Sequence, residues 1–281
     1  MPLGRAGMTF VYMPDRQEAL LFGGQDAANR YLNDTWTWKA GCWIQRAPSH
    51  SPAARTNAAA AYDAVRHTVV VYGSYPLTTG FATDTWTWNG DDWHQATTTE
   101  PPGYVAVAAY DPHIQRVVLF AERMAQTWTW DGTQWQQMSP ETEPPGSQAG
   151  SSMTFDPASH AVLLFGGIGP NHEYLADTWA WNGVTWHQIT LQTRPPGRAY
   201  ATLISASSTN EVLLIGGENG AILADAWRWD GTTWSLAASI GPRVGAGAID
   251  TGSSVVVFGG ATDKQLTNEA WAWDGVTWSK Q

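Results

Sequence analysis

One tryptophan pattern, W-x-W-x4-W, occurs six times in this chain and constrains its fold more than any other feature. Together the copies contain all 18 tryptophans of the 281 residues. Their first tryptophans are Trp36, Trp86, Trp128, Trp179, Trp227 and Trp271, which are 50, 42, 51, 48 and 44 residues apart. A period of 40 to 50 residues with strand-like patterning is typical of propellers and solenoids. The repeat therefore indicates a fold built from six similar units.

Each repeat contains four short strand candidates, named A to D in chain order. Strand A is rich in Ala and Gly, which are poor strand formers. We still predict a strand there, because only small side chains fit where sheets converge on a central axis. Strand B is an uninterrupted apolar run, as expected for a strand covered on both faces. Strand C carries two Trp on one face, and strand D begins with the third Trp after an Asn-Gly or Asp-Gly turn. The predicted A strands include residues 58–61, 105–109, 149–152 and 244–248, and four of the B strands end in a Gly pair.

The motif G-R…L-F-G-G…D-T-W-x-W-D-G-x-x-W resembles the kelch repeat and, more loosely, the galactose-oxidase-type kelch proteins. The resemblance covers essentially the whole chain and implies an all-β fold, a six-bladed β-propeller of four-stranded antiparallel blades. We expect a single domain over residues 1–281, with blades at about 1–50, 51–100, 101–143, 144–194, 195–240 and 241–281. The sequence runs from an A strand to a D strand, so each blade should be contiguous in sequence. All 18 tryptophans are expected to pack between blades.

Composition excludes several classes of function. The net charge of −10 and only three lysines argue against a nucleic-acid partner, which needs clustered basic residues. No run of 18 apolar residues occurs, so no membrane association is predicted. The first residues lack the build of a signal peptide, which predicts a cytoplasmic protein, or a secreted one if a leader has been removed. The single cysteine, Cys42, and the absence of metal-ligand motifs predict no metal and no cofactor. The expected oligomeric state is a monomer.

The loops of such a propeller lie on two faces. The D–A and B–C connections share one face, called the BC face below, and the A–B and C–D connections share the other. The C–D turns are uniform, whereas the B–C loops at 25–31, 75–81, 168–174, 218–222 and 262–266 differ from repeat to repeat. Variable loops on a rigid frame are where binding usually occurs, so the BC face is the candidate binding face.

Four repeats carry an arginine just before strand A: Arg5, Arg55, Arg198 and Arg243. The kelch resemblance implies that these arginines lie at the mouth of the central channel, where some kelch proteins use them for acidic ligands. They could instead stabilise their own blades by bonding carbonyls or an acid such as Asp34 or Asp84. As a ring, they would attract anions.

The third repeat departs most from the pattern. It has Tyr104 after the glycine where other repeats have Arg, and Ala121-Glu122 in place of the Gly pair. A shortened loop with Arg123 follows, and the fourth repeat has Gln148 at the Arg position. Departures from a local rule often mark function, although divergence between repeats would also produce them. Tyr104, Glu122, Arg123 and Gln148 therefore form a candidate patch at the channel mouth.

Three functions fit these features. The leading hypothesis is a non-catalytic binding or scaffold propeller that recognises a protein, a peptide, a small molecule or a sugar on the BC face. The alternative is a metal-independent enzyme, such as a mutarotase, isomerase or cyclase, with a pocket at the channel mouth near blade 3. A second alternative is a carbohydrate-binding propeller with shallow sites between blades. A deep pocket that holds Glu122 or Tyr104 as a perturbed acid would favour the enzyme, and a flat face would favour the protein-binding module.

Overall fold

The six repeats fold into six four-stranded antiparallel sheets in the computed structural model of this protein, which describes residues 1–73, 81–101, 103 and 105–281. The predicted all-β six-bladed propeller is confirmed. Blade 1 contains Thr9–Met13, Glu18–Phe22, Thr35–Lys39 and Cys42–Arg46. Blade 2 contains Ala59–Asp63, Thr68–Tyr72, Thr85–Trp88 and Trp93–Gln95. Blade 3 contains Ala106–Asp111, Arg116–Ala121, Gln126–Trp130 and Trp135–Gln137.

The second half of the chain repeats the arrangement. Blade 4 contains Ser152–Asp156, Ala161–Phe165, Thr178–Trp181 and Trp186–Ile189. Blade 5 contains Thr202–Ala206, Glu211–Ile215, Ala226–Trp229 and Trp234–Ala237. Blade 6 contains Gly247–Asp250, Val255–Phe258, Ala270–Trp273 and Trp278–Lys280. Two short strands, Arg5–Ala6 and Gln25–Asp26, pair beside blade 1, and Glu122–Met124 form a single 3₁₀ turn in blade 3.

Every blade pairs its strands in the order A-B-C-D, and the four strands of each blade follow one another in the sequence. The expectation of contiguous blades is thus confirmed. Blade 6 packs directly against blade 1. The amide of Gly260 donates to the carbonyl of Arg5 at 2.8 Å, and the rings of Phe10 and Phe258 lie 6.1 Å apart.

Strand A differs from the prediction in position and in residue size. In blades 2, 3, 4 and 6 it begins at Ala59, Ala106, Ser152 and Gly247, one to three residues later than predicted. In blades 2, 4 and 6 a left-handed residue diverts the backbone just before the strand. Large side chains are also present on strand A, because Phe10 is buried against Trp43 and Phe258 at ring distances of 5.8 and 6.1 Å. The rule that only small residues fit near the axis was wrong for this blade.

The tryptophans form the core between blades, as predicted. Eleven are buried, the other seven are half-buried, and none is exposed. In blades 2 to 6 the second and third Trp of each repeat pack against each other, with ring centroids 5.2 to 5.5 Å apart. Tilted aromatic pairs at this distance add to the stabilisation that burial alone provides.

A hydrogen bond from the third Trp to the preceding blade links neighbouring blades. The indole N–H groups of Trp93, Trp135, Trp186 and Trp234 donate to the hydroxyls of Thr35, Thr85, Thr127 and Thr178 at 2.8 to 3.2 Å. Blades 5 and 6 have Ala226 and Ala270 at the threonine position. The indole of Trp278 bonds the carbonyl of Ala238 instead, and Trp43 has no hydrogen-bond partner within the described chain. The closure between blades 6 and 1 therefore lacks this bond.

Candidate functional site

The six A strands surround a central cavity of about 440 Å³. Its wall contains small residues from all six blades, together with half-buried Tyr12, Tyr62 and Tyr110. Among the described residues, the charged side chains of the wall are Glu122 and Asp250 alone. The charged groups of the described wall are therefore both acidic, with no basic side chain beside them.

Backbone hydrogen bonds link the blades around one end of this cavity. The amide of Asn57 donates to Gly7, Gly7 to Gly245, Gly245 to Tyr200 and Tyr200 to Gly150, at 2.7 to 3.0 Å. All five residues have φ between 51° and 83°, the left-handed region. Glycine adopts this region freely, whereas Asn57 and Tyr200 do so at a cost. We call these five bonded residues the hub ring. Their left-handed conformation is the backbone kink that delays the start of strand A.

The hub ring is open at blade 3. Val105 occupies the corresponding position there, but it is not left-handed, and no ring bond joins it to Asn57 or Gly150 in the described chain. Its carbonyl accepts instead from the amide of Glu122 at 3.1 Å. Strands A and B of blade 3 consequently run straight on for one further rung, Ala106 opposite Ala121. Ala121 and Glu122 stand where four other repeats have a Gly pair. Both glycines of those pairs are left-handed and bend strand B, whereas Ala121 is extended.

The side chain of Glu122 is buried at this opening, with 2% of its surface exposed. Its Oε1 accepts from the hydroxyl of Ser147 at 2.7 Å and from the backbone amide of Ser151 at 2.9 Å. The two serine hydroxyls lie 3.1 Å apart, and Ser151 Oγ donates to the carbonyl of Gly166 at 3.1 Å. A carboxyl group of blade 3 thus bonds to blade 4 where the ring bond is missing.

Burial raises the pKa of Glu122 above its ordinary value, and the hydrogen bonds from Ser147 and Ser151 oppose this shift only in part. No basic side chain forms an ion pair with Glu122 in the described part of the chain. The two hydrogen bonds that its carboxyl group accepts from those residues both reach Oε1. A carboxyl group in such a setting can donate a proton or a hydrogen bond when neutral, and can accept both when ionised. The same region of the chain has no group of three His, Cys, Asp or Glu side chains placed to hold a metal ion.

The four arginines before strand A are buried inside their own blades. Arg198 shows the arrangement: its Nη1 donates to the carbonyl of Gly216 at 2.9 Å, and its guanidinium contacts both carboxylate oxygens of Asp225 at 2.7 and 2.8 Å. Asp225 also accepts from the indole N–H of Trp227 at 2.6 Å. The equivalent ion pairs are Arg5–Asp34, Arg55–Asp84 and Arg243–Glu269, at 2.6, 2.9 and 3.4 Å. We call each such pair an arginine brace.

The braces leave little net charge at the channel mouth. Burial acts to raise the pKa of Asp34, Asp84 and Asp225, but hydrogen bonds from Arg and Trp hold each pKa below its ordinary value. These acids are therefore ionised at neutral pH, and each compensates its arginine. The four arginine side chains have only 0 to 3% of their surface exposed.

Gln148 does not occupy the Arg position in space, which corrects the sequence alignment of the fourth repeat. The amide of Ser147 donates to the preceding blade, at Glu122, as the amide of Arg198 donates to Leu175. Gln148 and Ala149 both face Ile168, so Gln148 is the extra residue of a β-bulge. Its side chain bonds the carbonyls of Gly169 and Pro170 at 3.1 Å.

The structure therefore places the predicted site residues in different surroundings. Glu122 lines the cavity, Arg123 is exposed on the adjacent turn, and Gln148 bonds a neighbouring loop. Tyr104 and residues 75–80 of the second B–C loop lie outside the described residues. Sequence reasoning missed Ser147 and Ser151. The signal for them was the additional residue between Gly146 and Gly150, which places a serine where other repeats have Arg.

Comparison with known proteins supports the architecture alone. No protein-family model matches the chain, and no curated protein matches it. A solved structure titled "Structure of YjhT" is similar, with a TM-score of 0.77 and 13% sequence identity over all of this chain and 98% of that one. At this identity the likeness concerns the fold alone, which is a six-bladed propeller of four-stranded blades. No helix in the described residues is long and apolar enough to cross a membrane.

Proposed function

We propose that this propeller binds a small molecule in its central cavity, reached from the BC face, and that Glu122 recognises it. The observation that carries the proposal is a buried carboxyl group in the wall of a cavity of about 440 Å³, without a basic partner among the described residues. Cavities of a few hundred Å³ with few convergent polar groups are typical small-molecule sites. A buried carboxyl group without a basic partner costs stability when it is ionised, so its presence calls for an explanation.

The asymmetry of the hub ring supports one site rather than several. Five blades have a left-handed residue in the ring, and the ring is open at blade 3, beside Glu122. A carbohydrate-binding propeller with near-equal sites between blades would not require this difference. A scaffold for proteins would use side chains on the outer surface of the BC face, whereas Glu122, Ser147 and Ser151 are all buried.

A second candidate function, a metal-independent enzyme, is favoured by the raised pKa of Glu122. A general acid works best with a pKa near the operating pH, and burial moves a carboxyl group in that direction. In a mutarotase, isomerase or cyclase, Glu122 would give its proton to a ligand oxygen and take a proton back. Ser147 and Ser151 would orient the carboxyl group.

The test is a binding screen of small molecules against wild type and Glu122→Gln, followed by isothermal calorimetry on each hit. Glu143→Gln is the matched control, because burial also raises the pKa of Glu143, which bonds Thr127 and does not line the cavity. We expect hits to lose at least tenfold in affinity in Glu122→Gln and to keep it in Glu143→Gln. Equal binding by both variants would refute the assignment of Glu122.

Catalysis is tested separately by proton NMR exchange between the anomers of reducing sugars, added to the wild type. Faster exchange that disappears in Glu122→Gln would establish the second candidate. Ligand binding without faster exchange would leave the binding function alone.

A further inference from the structure

We infer that the ligand of the central cavity is a compact organic cation whose ammonium group pairs with the carboxylate of Glu122, an inference that rests on the proposed small-molecule site.

The charge around the cavity is negative. Its described wall contains two carboxyl groups, Glu122 and Asp250, and no basic side chain. The four arginines that precede strand A each pair with an acid of their own blade, at 2.6 to 3.4 Å, and Glu269 is shared between Arg243 and Lys280. The whole chain has a net charge of −10. Charges of one sign in a concave, low-dielectric site concentrate ligands of the opposite sign, so this cavity favours cations over anions.

The carboxyl group of Glu122 has one oxygen left for a ligand. Oε1 accepts from Ser147 and from Ser151, whereas Oε2 has no donor within the described chain. Oε2 is not a fully buried oxygen without a partner, so part of its surface stays accessible. Glu122 lines the cavity, and a ligand there can reach this oxygen. An ammonium group supplies the N–H donor and the positive charge that the ionised carboxylate lacks, and such charge-assisted bonds are the stronger kind.

The carbonyl of Asn57 provides a second acceptor at the same end. In the hub ring, the carbonyls of Gly7, Gly245, Tyr200 and Gly150 each accept from a neighbouring blade. Asn57 is the ring residue next to blade 3, and its carbonyl accepts no such bond from the described residues. Two acceptors beside the ring opening are suited to a group with more than one N–H donor.

The wall away from Glu122 suits the carbon frame of such a ligand. Alanines 58–61, 106 and 108–109 line one side, and Tyr12, Tyr62 and Tyr110 line the end that is nearer the A–B turns. Aromatic rings interact favourably with alkyl groups and with organic cations. The ligand class is therefore an amine on a small apolar or aromatic frame.

The experiment compares matched triples of probes, in which an amine, an alcohol and a carboxylate share one carbon frame: benzylamine, benzyl alcohol and benzoate, and the three cyclohexyl analogues. Ligand-observed NMR titration at low salt gives the dissociation constants for wild type, Glu122→Gln and Glu143→Gln. We expect both amines to bind the wild type at least tenfold more tightly than their partners. This advantage should disappear in Glu122→Gln and persist in Glu143→Gln.

The outcomes separate the inference from the proposed function. If an alcohol or a carboxylate binds as tightly as its amine, and Glu122→Gln weakens it, the cation class is wrong while the cavity site stands. If no probe binds, or if every probe binds both variants equally, the cation class and the assignment of Glu122 both fail. Glu122→Gln preserves side-chain shape, and its thermal unfolding is measured alongside to verify the fold.

Discussion

The carboxyl oxygen Oε1 of Glu122 lies 2.9 Å from the backbone nitrogen of Ser151, so a side chain of blade 3 bonds to the backbone of blade 4. From blade 4 through blades 5, 6 and 1 to blade 2 this region is joined by backbone bonds of the hub ring, such as Tyr200 to Gly150 at 2.8 Å. At blade 3 a titratable group has replaced a neutral peptide link. The predictions below follow from this exchange and from the bonds that join the remaining blades.

Glu122→Gln should stabilise the protein increasingly as the pH rises. The pKa of Glu122 is raised by burial, so the folded state binds this proton more tightly than the unfolded chain. The free energy of unfolding of the wild type therefore falls as pH rises from the unfolded pKa, near 4.5, through the folded pKa. The loss is about 1.4 kcal/mol per unit of raised pKa, and the variant does not suffer it. Urea denaturation of both proteins from pH 4 to 8 measures the difference.

Asp274→Asn provides a comparison of opposite sign. Backbone amides of Thr277 and Val276 lower the pKa of Asp274, so its contribution is present above the unfolded pKa and is lost as pH falls. The advantage of wild type over this variant should shrink in acid. A stability advantage of Glu122→Gln over wild type that shrinks as pH rises would contradict the account of Glu122.

Arg198→Met should destabilise the protein by about 2–4 kcal/mol, because it leaves the carboxylate of Asp225 beside an apolar chain. The expected cost is below that of a fully buried pair, since 30% of the Asp225 side chain is exposed. Arg194→Met is the matched control. Arg194 lies 3.8 Å from Asp177 and is 48% exposed, so its loss should cost less than about 1 kcal/mol. Chemical denaturation measures both, and equal losses would mean that the brace does not stabilise its blade.

Ala270→Thr should strengthen the closure between blades 6 and 1. The new hydroxyl would stand where Thr35, Thr85, Thr127 and Thr178 accept from the indole of the following blade. The indole of Trp43 would then gain a partner, worth about 1 kcal/mol. Ala270→Val has the same shape without the hydroxyl, so the urea midpoint of the Thr variant should exceed that of the Val variant. The advantage should vanish when Trp43→Phe is added, and an advantage that survives it would contradict the prediction.

Trp181→Ala should cost about 3–5 kcal/mol, as for other large aromatic truncations in cores. Trp181 has no exposed surface and packs 5.5 Å from Trp186. Trp271→Ala, at a half-buried position, should cost less. Thermal denaturation compares the two. If Trp181→Ala lowered the free energy of unfolding by less than about 1 kcal/mol, the claim that the tryptophans stabilise the core would be wrong.

Periodicity was enough to predict the blades. The Trp spacing and the apolar B strands record a packing pattern that repeats six times, and repetition reduces the uncertainty of any single strand. The start of strand A was mispredicted, because in five blades it depends on a left-handed residue. That residue is Gly7, Gly150 or Gly245 in some blades but Asn57 or Tyr200 in others, so no residue type marks it.

The candidate site was predicted only in part. Glu122 stood out because it breaks the Gly pair, and the structure places it in the cavity wall. The arginines pair with acids 26 to 29 residues later, and this pairing depends on strand register. Without the register, the arginines were predicted to form a ring that attracts anions, whereas in the structure the braces neutralise their charge. Ser147 and Ser151 were missed, because a single-residue bulge at Gln148 shifts the repeat alignment beside them.

The central claim is that ligands bind in the cavity at Glu122. It is tested most directly by soaking crystals of wild type and of Glu122→Gln in the same set of small molecules. The account predicts ligand density in the central cavity of the wild type, within hydrogen-bonding distance of the Glu122 carboxyl group, and none there in the variant. Ligands that collect on the outer surface of the blades, or that occupy the cavity of both proteins alike, would contradict it.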